Sequence, residues 1–395
     1  MLAYTFYESD NRVRRYAETL ARRGDHVDAI VLRPGPEKRF QVIEGVHVHG
    51  IQTRRRDESC ALHHLLKLLV FLFRSAWVLT LRHLRRPYDV IHVHSVPDFL
   101  VLAALFARLT GAKVILDIHD VVPELYAAKF KVRHDSLLFR LLVWEEMLSA
   151  RFADRVIIAN DIWQERVARR SRCAGKCTTI LNYPDPFIFY RRKPAARGGG
   201  EFTMCYPGTL SRHQGVDLVI SAMADIRDVA PNLRFLVIGS GVDHERLKAM
   251  VREHGLEDRV ILKGRLPLEK VAEAMARVDL GIEPKRNESF AGEALSTKIF
   301  EFMAVGVPVI ASDTRVHKFY FSQDVVAYFE AGNSRDLAAK ILELLHDPIK
   351  REALAERARR FILKNSWDTK QNEYFELIDT LVKRGLEEER VFSRT

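Results

Sequence analysis

The chain has 395 residues, 47% of them hydrophobic and 29% charged, the composition of a soluble globular protein too long for one ordinary core. Residues 1–200 carry 33 Lys and Arg against 21 Asp and Glu, while residues 201–395 carry 29 against 31, so the excess positive charge lies in the first half and points to an anionic partner met there. Four scattered cysteines (Cys60, Cys173, Cys177, Cys205) exclude a disulfide framework and favour a reducing, cytosolic setting, and the opening residues lack the basic-then-apolar pattern of a secretory signal.

In chain order, strands are expected at 2–6, 27–32, 46–51, 89–94, 113–119 and 155–159. Helices are expected at 12–23, capped by Asp10 or Asn11, and at 99–109, 136–151 and 161–170. This alternation implies a parallel, doubly wound sheet with right-handed connections. Residues 61–86 are apolar enough to suggest a membrane span, but Lys67 and Arg74 inside them would each cost about 3 kcal/mol at a bilayer centre. Two readings stay open: a core helix of the first domain, or an interfacial helix. Arg54, Arg55 and Arg56 before it and Arg82, Arg85 and Arg86 at its end favour contact with anionic headgroups. No recognition module for nucleic acid is visible, and no nucleic-acid partner is expected.

Pro184, Pro186, Arg191-Arg192-Lys193-Pro194 and Gly198-Gly199-Gly200 mark a domain boundary. The expected division is residues 1–184, a linker at 185–200, a second domain at 201–366, and a C-terminal helix at 367–395 that crosses back to the first. The second domain repeats the alternation, with strands at 202–206, 235–239, 260–263, 280–283 and 308–312, and only helix over 334–388. Gly239-Ser-Gly241 follows a strand, but the third glycine of a dinucleotide fingerprint would fall on His244, so that motif fails.

Residues 293–313 hold the most informative pattern. Ser296 has the character of an N-cap, Gly306 and Pro308 stop a short helix, and an apolar strand follows. Amides at Ser296, Thr297 and Lys298 form an anion cradle, bracketed by the carboxylates Glu293 and Glu301. Such a site suits a nucleotide sugar. By local spacing alone, Lys298 and Glu301 would read as a surface ion pair.

Seven stretches in order resemble the retaining glycosyltransferases of family 4. They are Tyr88–His94, Leu116–Asp120, Arg151–Ile157, Tyr206–Leu210 with Gly215-Val-Asp217, Leu236–Gly241, Arg259–Gly264, and Glu293–Asp313. The resemblance implies the GT-B fold, an α/β architecture of two Rossmann-like domains facing across a cleft. It implies transfer of a sugar from a nucleotide donor to an acceptor with retention, the lipid-linked saccharide of a cell-surface polysaccharide being the expected acceptor. The enzyme would work in the cytoplasm, peripheral at the inner face of the cell membrane, with no cofactor and no metal. The same fold also hosts sugar-nucleotide epimerases, and a non-catalytic membrane-bound scaffold is a further alternative.

By the same resemblance, His119 meets the donor sugar, Glu293 its hydroxyls and Glu301 the ribose. Gly208, Thr209, Arg212, Gly264, Arg265, Lys285, Ser296, Thr297 and Lys298 would complete the donor site, the base lying near Gly264 and Arg265. Asn11, Arg12, His94 and Asp120 would face the acceptor. His92 and His94 share one face of a strand, but no carboxylate or cysteine at metal spacing is evident beside them. One departure from the family pattern matters. The arginine and lysine that usually neutralise the diphosphate are replaced by Thr209 and Gln214, leaving Arg212, His213, Lys285 and Lys298 as substitutes.

Overall fold

The computed structural model describes residues 1–35, 37–54, 61–130, 132–192 and 200–392. Arg55, Arg56, Cys60 and the linker residues 193–199 lie outside the described residues. Two compact units are formed, Met1–Asn182 with Gln371–Thr395, and Tyr183–Lys370.

In chain order the first unit contains β1 (Leu2–Phe6), α1 (Asn11–Arg23), β2 (Asp28–Arg33), β3 (Phe40–Ile43), β4 (Val46–Thr53) and α2 (Ala61–Arg85). There follow β5 (Val90–His94), α3 (Leu105–Leu109), β6 (Lys113–Ile118), α4 (Val122–Phe130), α5 (Leu137–Phe152), β7 (Arg155–Ile158), α6 (Asp161–Arg170) and β8 (Cys177–Thr179). The sheet order is β3-β4-β2-β1-β5-β6-β7-β8, parallel throughout except at β3. That strand was not expected from the sequence. It returns through Glu44 and Gly45, both at positive φ, the two-residue hairpin that matches strand twist. The helix expected at 99–109 begins instead as a 3-10 segment, Asp98–Ala104, that runs into α3.

The second unit contains β9 (Phe202–Pro207), α7 (Val216–Asp225), β10 (Leu233–Ile238), α8 (His244–Glu253), β11 (Val260–Leu262), α9 (Leu268–Met275) and β12 (Leu280–Glu283). It continues with α10 (Ser289–Glu293), α11 (Thr297–Val305), β13 (Val309–Ser312), α12 (Arg315–Tyr320), β14 (Ala327–Phe329), α13 (Ser334–His346) and α14 (Pro348–Lys364). Its all-parallel order is β11-β10-β9-β12-β13-β14. The last helix, α15 (Trp367–Phe392), belongs to the first unit from Gln371 onward. In each sheet the order reverses once, between β1 and β5 and between β9 and β12. Crevices for ligands open at such points, beyond the carboxyl ends of the strands.

The first unit is locked by charge at its switch point. Asp10 caps α1 by accepting from the amides of Arg12 and Val13, which aims Arg12 inward. Arg12 Nε and Nη2 each lie 2.8 Å from an oxygen of Asp117 on β6, and Nη2 also donates to the Ile180 carbonyl at 3.0 Å. Both side chains are buried, so the pair has few water molecules to compete with it. Breaking such a pair strands the remaining charge in the interior. Arg12→Met is therefore expected to lower unfolding stability by about 3–5 kcal/mol, measured by urea denaturation.

Candidate functional site

The loops beyond β9, β10 and β11 touch through their glycines. The Gly208 amide donates to the Ile238 carbonyl and the Gly239 amide to that of Gly264, both at 2.8 Å. A Cβ at Gly239 would lie 1.8 Å from the Gly208 oxygen, and one at Gly241 2.0 Å from that of Leu210. The glycines that resemble part of a dinucleotide motif are thus explained by close backbone approach.

Helix α11 sits against the opposite side of the switch point. Gly281 on β12 admits it, because a Cβ there would meet the Phe302 ring at 2.5 Å. Ile299, Phe300, Phe302, Met303 and Val305 are buried beneath it, and Gly306 ends it in the left-handed conformation. Ser296 occupies the N-cap position, but its hydroxyl caps no amide, contrary to the sequence expectation. Instead it accepts from Lys298 Nζ at 3.3 Å.

Lys298 is the centre of the site. Its ammonium lies 3.0 Å from Glu283 Oε2, donates to Gln214 Oε1 at 3.4 Å, and stands 5.2 Å from the centroid of Tyr206. Tyr206 Oη donates to the same Gln214 oxygen at 3.1 Å and to the Thr209 carbonyl at 2.9 Å. Lys298 therefore reaches the position where the family's lysine is replaced by Gln214, and it pairs with Glu283 rather than with Glu301. Burial works against both charges. Nevertheless Glu283 raises the Lys298 pKa, and Lys298 with Lys285 holds the Glu283 carboxyl below its ordinary range. Lys285 is itself buried and donates to the Ala294 carbonyl at 2.8 Å.

Glu301, one turn along α11, responds differently. Burial pushes its carboxyl up to about 7, against the opposing pull of Lys298 and a hydrogen bond from Thr297. Glu293 ends α10, with Arg315 Nη1 3.6 Å from one oxygen. Thr209, Arg212 and Arg265 are exposed; the Arg212 carbonyl accepts from Arg286 Nε at 3.2 Å, and Arg265 Nε donates to Ser240 Oγ. Of the four substitute cations, two touch Gln214: Lys298 at Oε1, and His213, whose Nε2 lies 3.2 Å from Gln214 Nε2; only Lys298 of the two also pairs with Glu283. The sequence reading missed Glu283, whose signal was an acid closing an apolar strand. It also missed His317, fully buried with Nδ1 2.8 Å from the Ser312 carbonyl and its pKa pushed down to about 4 by burial.

In the first unit, His119 follows β6, half-buried, with Nε2 3.2 Å from Asp117 Oδ2 and 3.0 Å from His94 Nδ1. Asn11 begins α1 and Asp120 follows His119, both half-buried. Arg12 and His94 are corrected as acceptor contacts: both are buried, and Arg12 is spent on Asp117. The strand register also sets Asp117 opposite His94, so a carboxylate does stand beside His92 and His94, their ligand atoms within 4.8 Å of one another. Arg12 already occupies both of its oxygens. Burial would raise the Asp117 carboxyl, but Arg12 and His119 hold it well below the usual range. Burial and the neighbouring His92 push His94 well down.

Two parallel sheets, each open at a switch point, and a carboxylate-flanked cationic helix end define a chain of GT-B architecture. Residues 9–182 match the family described as glycosyl transferase 4-like domain, and residues 189–361 that described as glycosyl transferases group 1. The chain belongs to the family-4 retaining glycosyltransferases. Among curated relatives, a 2-deoxystreptamine N-acetyl-D-glucosaminyltransferase of Streptomyces fradiae is 31% identical over 247 residues, 58% of this chain and 55% of the relative. A phosphatidyl-myo-inositol mannosyltransferase of Mycobacterium leprae is 20% identical over 75% of each chain. The fold is like that of sucrose-phosphate synthase from Thermosynechococcus elongatus, with a TM-score of 0.72 at 20% identity over 100% of this chain and 99% of that one. It is also like HepE of Anabaena, solved with UDP and glucose, with a TM-score of 0.71 at 18% identity over 96% and 98%.

Two outcomes follow from this geometry. A methyl group at Gly208 would lie 2.6 Å from Lys298 Cε and 2.9 Å from Tyr206 Oη, so Gly208→Ala should displace the ammonium and weaken any thermal stabilisation by a nucleoside diphosphate. Glu301 can accept hydroxyl donors at both of its oxygens only when ionised. If it meets the donor nucleotide, affinity for a nucleoside diphosphate should rise from about pH 6 to about pH 8 as its raised pKa is crossed, and Glu301→Gln should flatten that rise in calorimetry.

Proposed function

We propose that the chain moves a hexose, with retention, from a nucleoside diphosphate sugar to a lipid-linked saccharide. The observation that carries the donor half is the position of Lys298, seated on Glu283 beside Gly208 with Glu301 on the same helix. Its contacts to Gln214 and Ser296 are long, at 3.4 and 3.3 Å, and are readily exchanged for phosphate oxygens, while the 3.0 Å contact to Glu283 holds the ammonium in place. Lys285 adds a second positive charge against the single charge of Glu283. In the reaction the bond from the anomeric carbon to the diphosphate oxygen breaks and a bond to the acceptor oxygen forms. The acceptor proton passes to the departing oxygen. Charge then grows on the diphosphate, where Lys298 and the start of α11 stabilise it. Glu301, with its carboxylate ionised, would accept the ribose hydroxyls.

The relatives' names divide between a small polar acceptor and a phosphatidylinositol. The basic first half favours the lipid-linked class, since a lipid phosphate or diphosphate is anionic.

Removing the Lys298 cation leaves Glu283 buried and unpaired, which would repel a diphosphate. Lys298→Ala is expected to weaken UDP binding by about 100-fold or more in titration calorimetry. Lys298→Arg should recover part of it. Unchanged UDP affinity in Lys298→Ala would refute the assignment.

A further inference from the structure

The first unit carries an apolar surface that none of its described elements covers. Helix α2 contains no acidic residue and has two apolar faces. Leu68, Phe71, Ser75, Leu79 and His83 point into the core, where Phe71 packs edge-on against Tyr4 at 5.1 Å and the Tyr88 amide donates to His83 at 3.0 Å. Leu66, Val70, Phe73, Trp77, Leu81 and Leu84 are exposed. At 3.6 residues per turn these two sets lie about 180° apart on the helix. Only 22% of the helix's apolar window is buried.

The surface continues sideways. The 3-10 segment at 98–104 and α3 lie against α2, and α5 lies against the 3-10 segment. Leu102, Leu105 and Leu109 are exposed on the first of these neighbours, and Leu137, Leu141, Trp144 and Leu148 form an exposed stripe on α5. Phe73 is 70% exposed, Trp77 68%, Leu109 77% and Leu137 73%, values far from those of partly covered core residues. Exposed apolar side chains in this number on elements packed side by side mark a binding surface.

Charge identifies the occupant. The three elements hold three acidic residues: Asp98 and Glu146 are buried, and Glu145 is half-buried, its carboxyl pushed up to about 7 by burial. Exposed basic side chains flank the stripes: Arg74 and Arg85 along α2, Arg86 just past it, and Arg140 on α5. Within the described residues of these elements the apolar floor has a cationic rim, the exposed acids Asp89 and Asp135 lying beyond the helix ends, and such a surface matches an anionic bilayer, apolar within and negative at its headgroups. We infer that α2, α3 and α5 together seat the first unit flat on an anionic lipid surface, with Phe73, Trp77, Leu109 and Trp144 entering the headgroup boundary. The inward face of α2 is committed to the core, so this helix lies along the membrane and does not cross it. Of the two sequence readings of 61–86, each describes one face. The inference does not depend on the transfer chemistry.

The chain provides its own probe. Of its four tryptophans, Trp77 and Trp144 lie on this surface, while Trp163 and Trp367 are buried. The whole protein would be floated with vesicles of phosphatidylcholine alone or with added phosphatidylglycerol. Flotation with the anionic vesicles, a blue shift in tryptophan emission, and quenching by brominated lipid are expected. Phe73→Glu/Trp77→Glu, at exposed positions, should lower the bound fraction by about tenfold or more. Trp77→Phe/Trp144→Phe should still float but lose the shift. UDP-induced thermal stabilisation, measured on the same variants, should be unchanged, which separates a failure of this surface from a failure of the donor site. No flotation with either vesicle would overturn the proposal. So would a dimer in solution that Phe73→Glu/Trp77→Glu dissolves, since the face would then belong to a second copy of the chain.

Discussion

The ion pair between Lys298 and Glu283 governs the second unit. Two opposite charges are held in the interior at 3.0 Å, with Lys285 and Glu301 close enough to bias both. Such a pair is tolerated only where geometry is good, and here Gln214 and Ser296 accept further hydrogen bonds from the ammonium while the Tyr206 ring centroid stands 5.2 Å from it. The backbone yields to it. Gly208 leaves space for the lysine stem, and Gly281 lets α11 settle low enough on the sheet for its first turn to reach Glu283. Beside Gln214, which stands where the family's lysine is usual, another element thus sets the ammonium of Lys298.

The first unit solves a similar problem with other residues. Arg12 and Asp117 bridge α1 and β6 beside the switch point, and the remaining Asp117 contacts steady His119 and His94. His92 extends the group to Tyr374 Oη at 2.9 Å. A half-exposed histidine held on one nitrogen by a buried carboxylate has a fixed ring plane.

Strand and helix alternation made the two parallel sheets legible, because buried parallel strands such as Val90–His94 and Lys113–Ile118 read as continuous apolar runs. The short edge strands β3, β8 and β14 were not legible, being three or four residues long and only partly buried. At the site, Lys298 and Glu301 stood out through the helix-start pattern and the family resemblance, but the partner of Lys298 did not. Glu283 lies 15 positions earlier, on another element, and only the sheet order brings it near. The pairing of Arg12 was hidden for the same reason: the resemblance set it on the acceptor side, whereas its partner Asp117 lies 105 positions away. The dual character of α2 was visible as uniform apolarity, which composition cannot apportion between core and surface.

The placement of α15 has a consequence for the order of synthesis. The first unit needs Tyr374, from a segment made after the entire second unit, to close over Tyr16 and His92. A nascent chain therefore presents a first sheet with an unfinished polar core until the second unit, contiguous from Tyr183 to Lys370, has been made. The half whose translation begins first is the half whose chain is completed last.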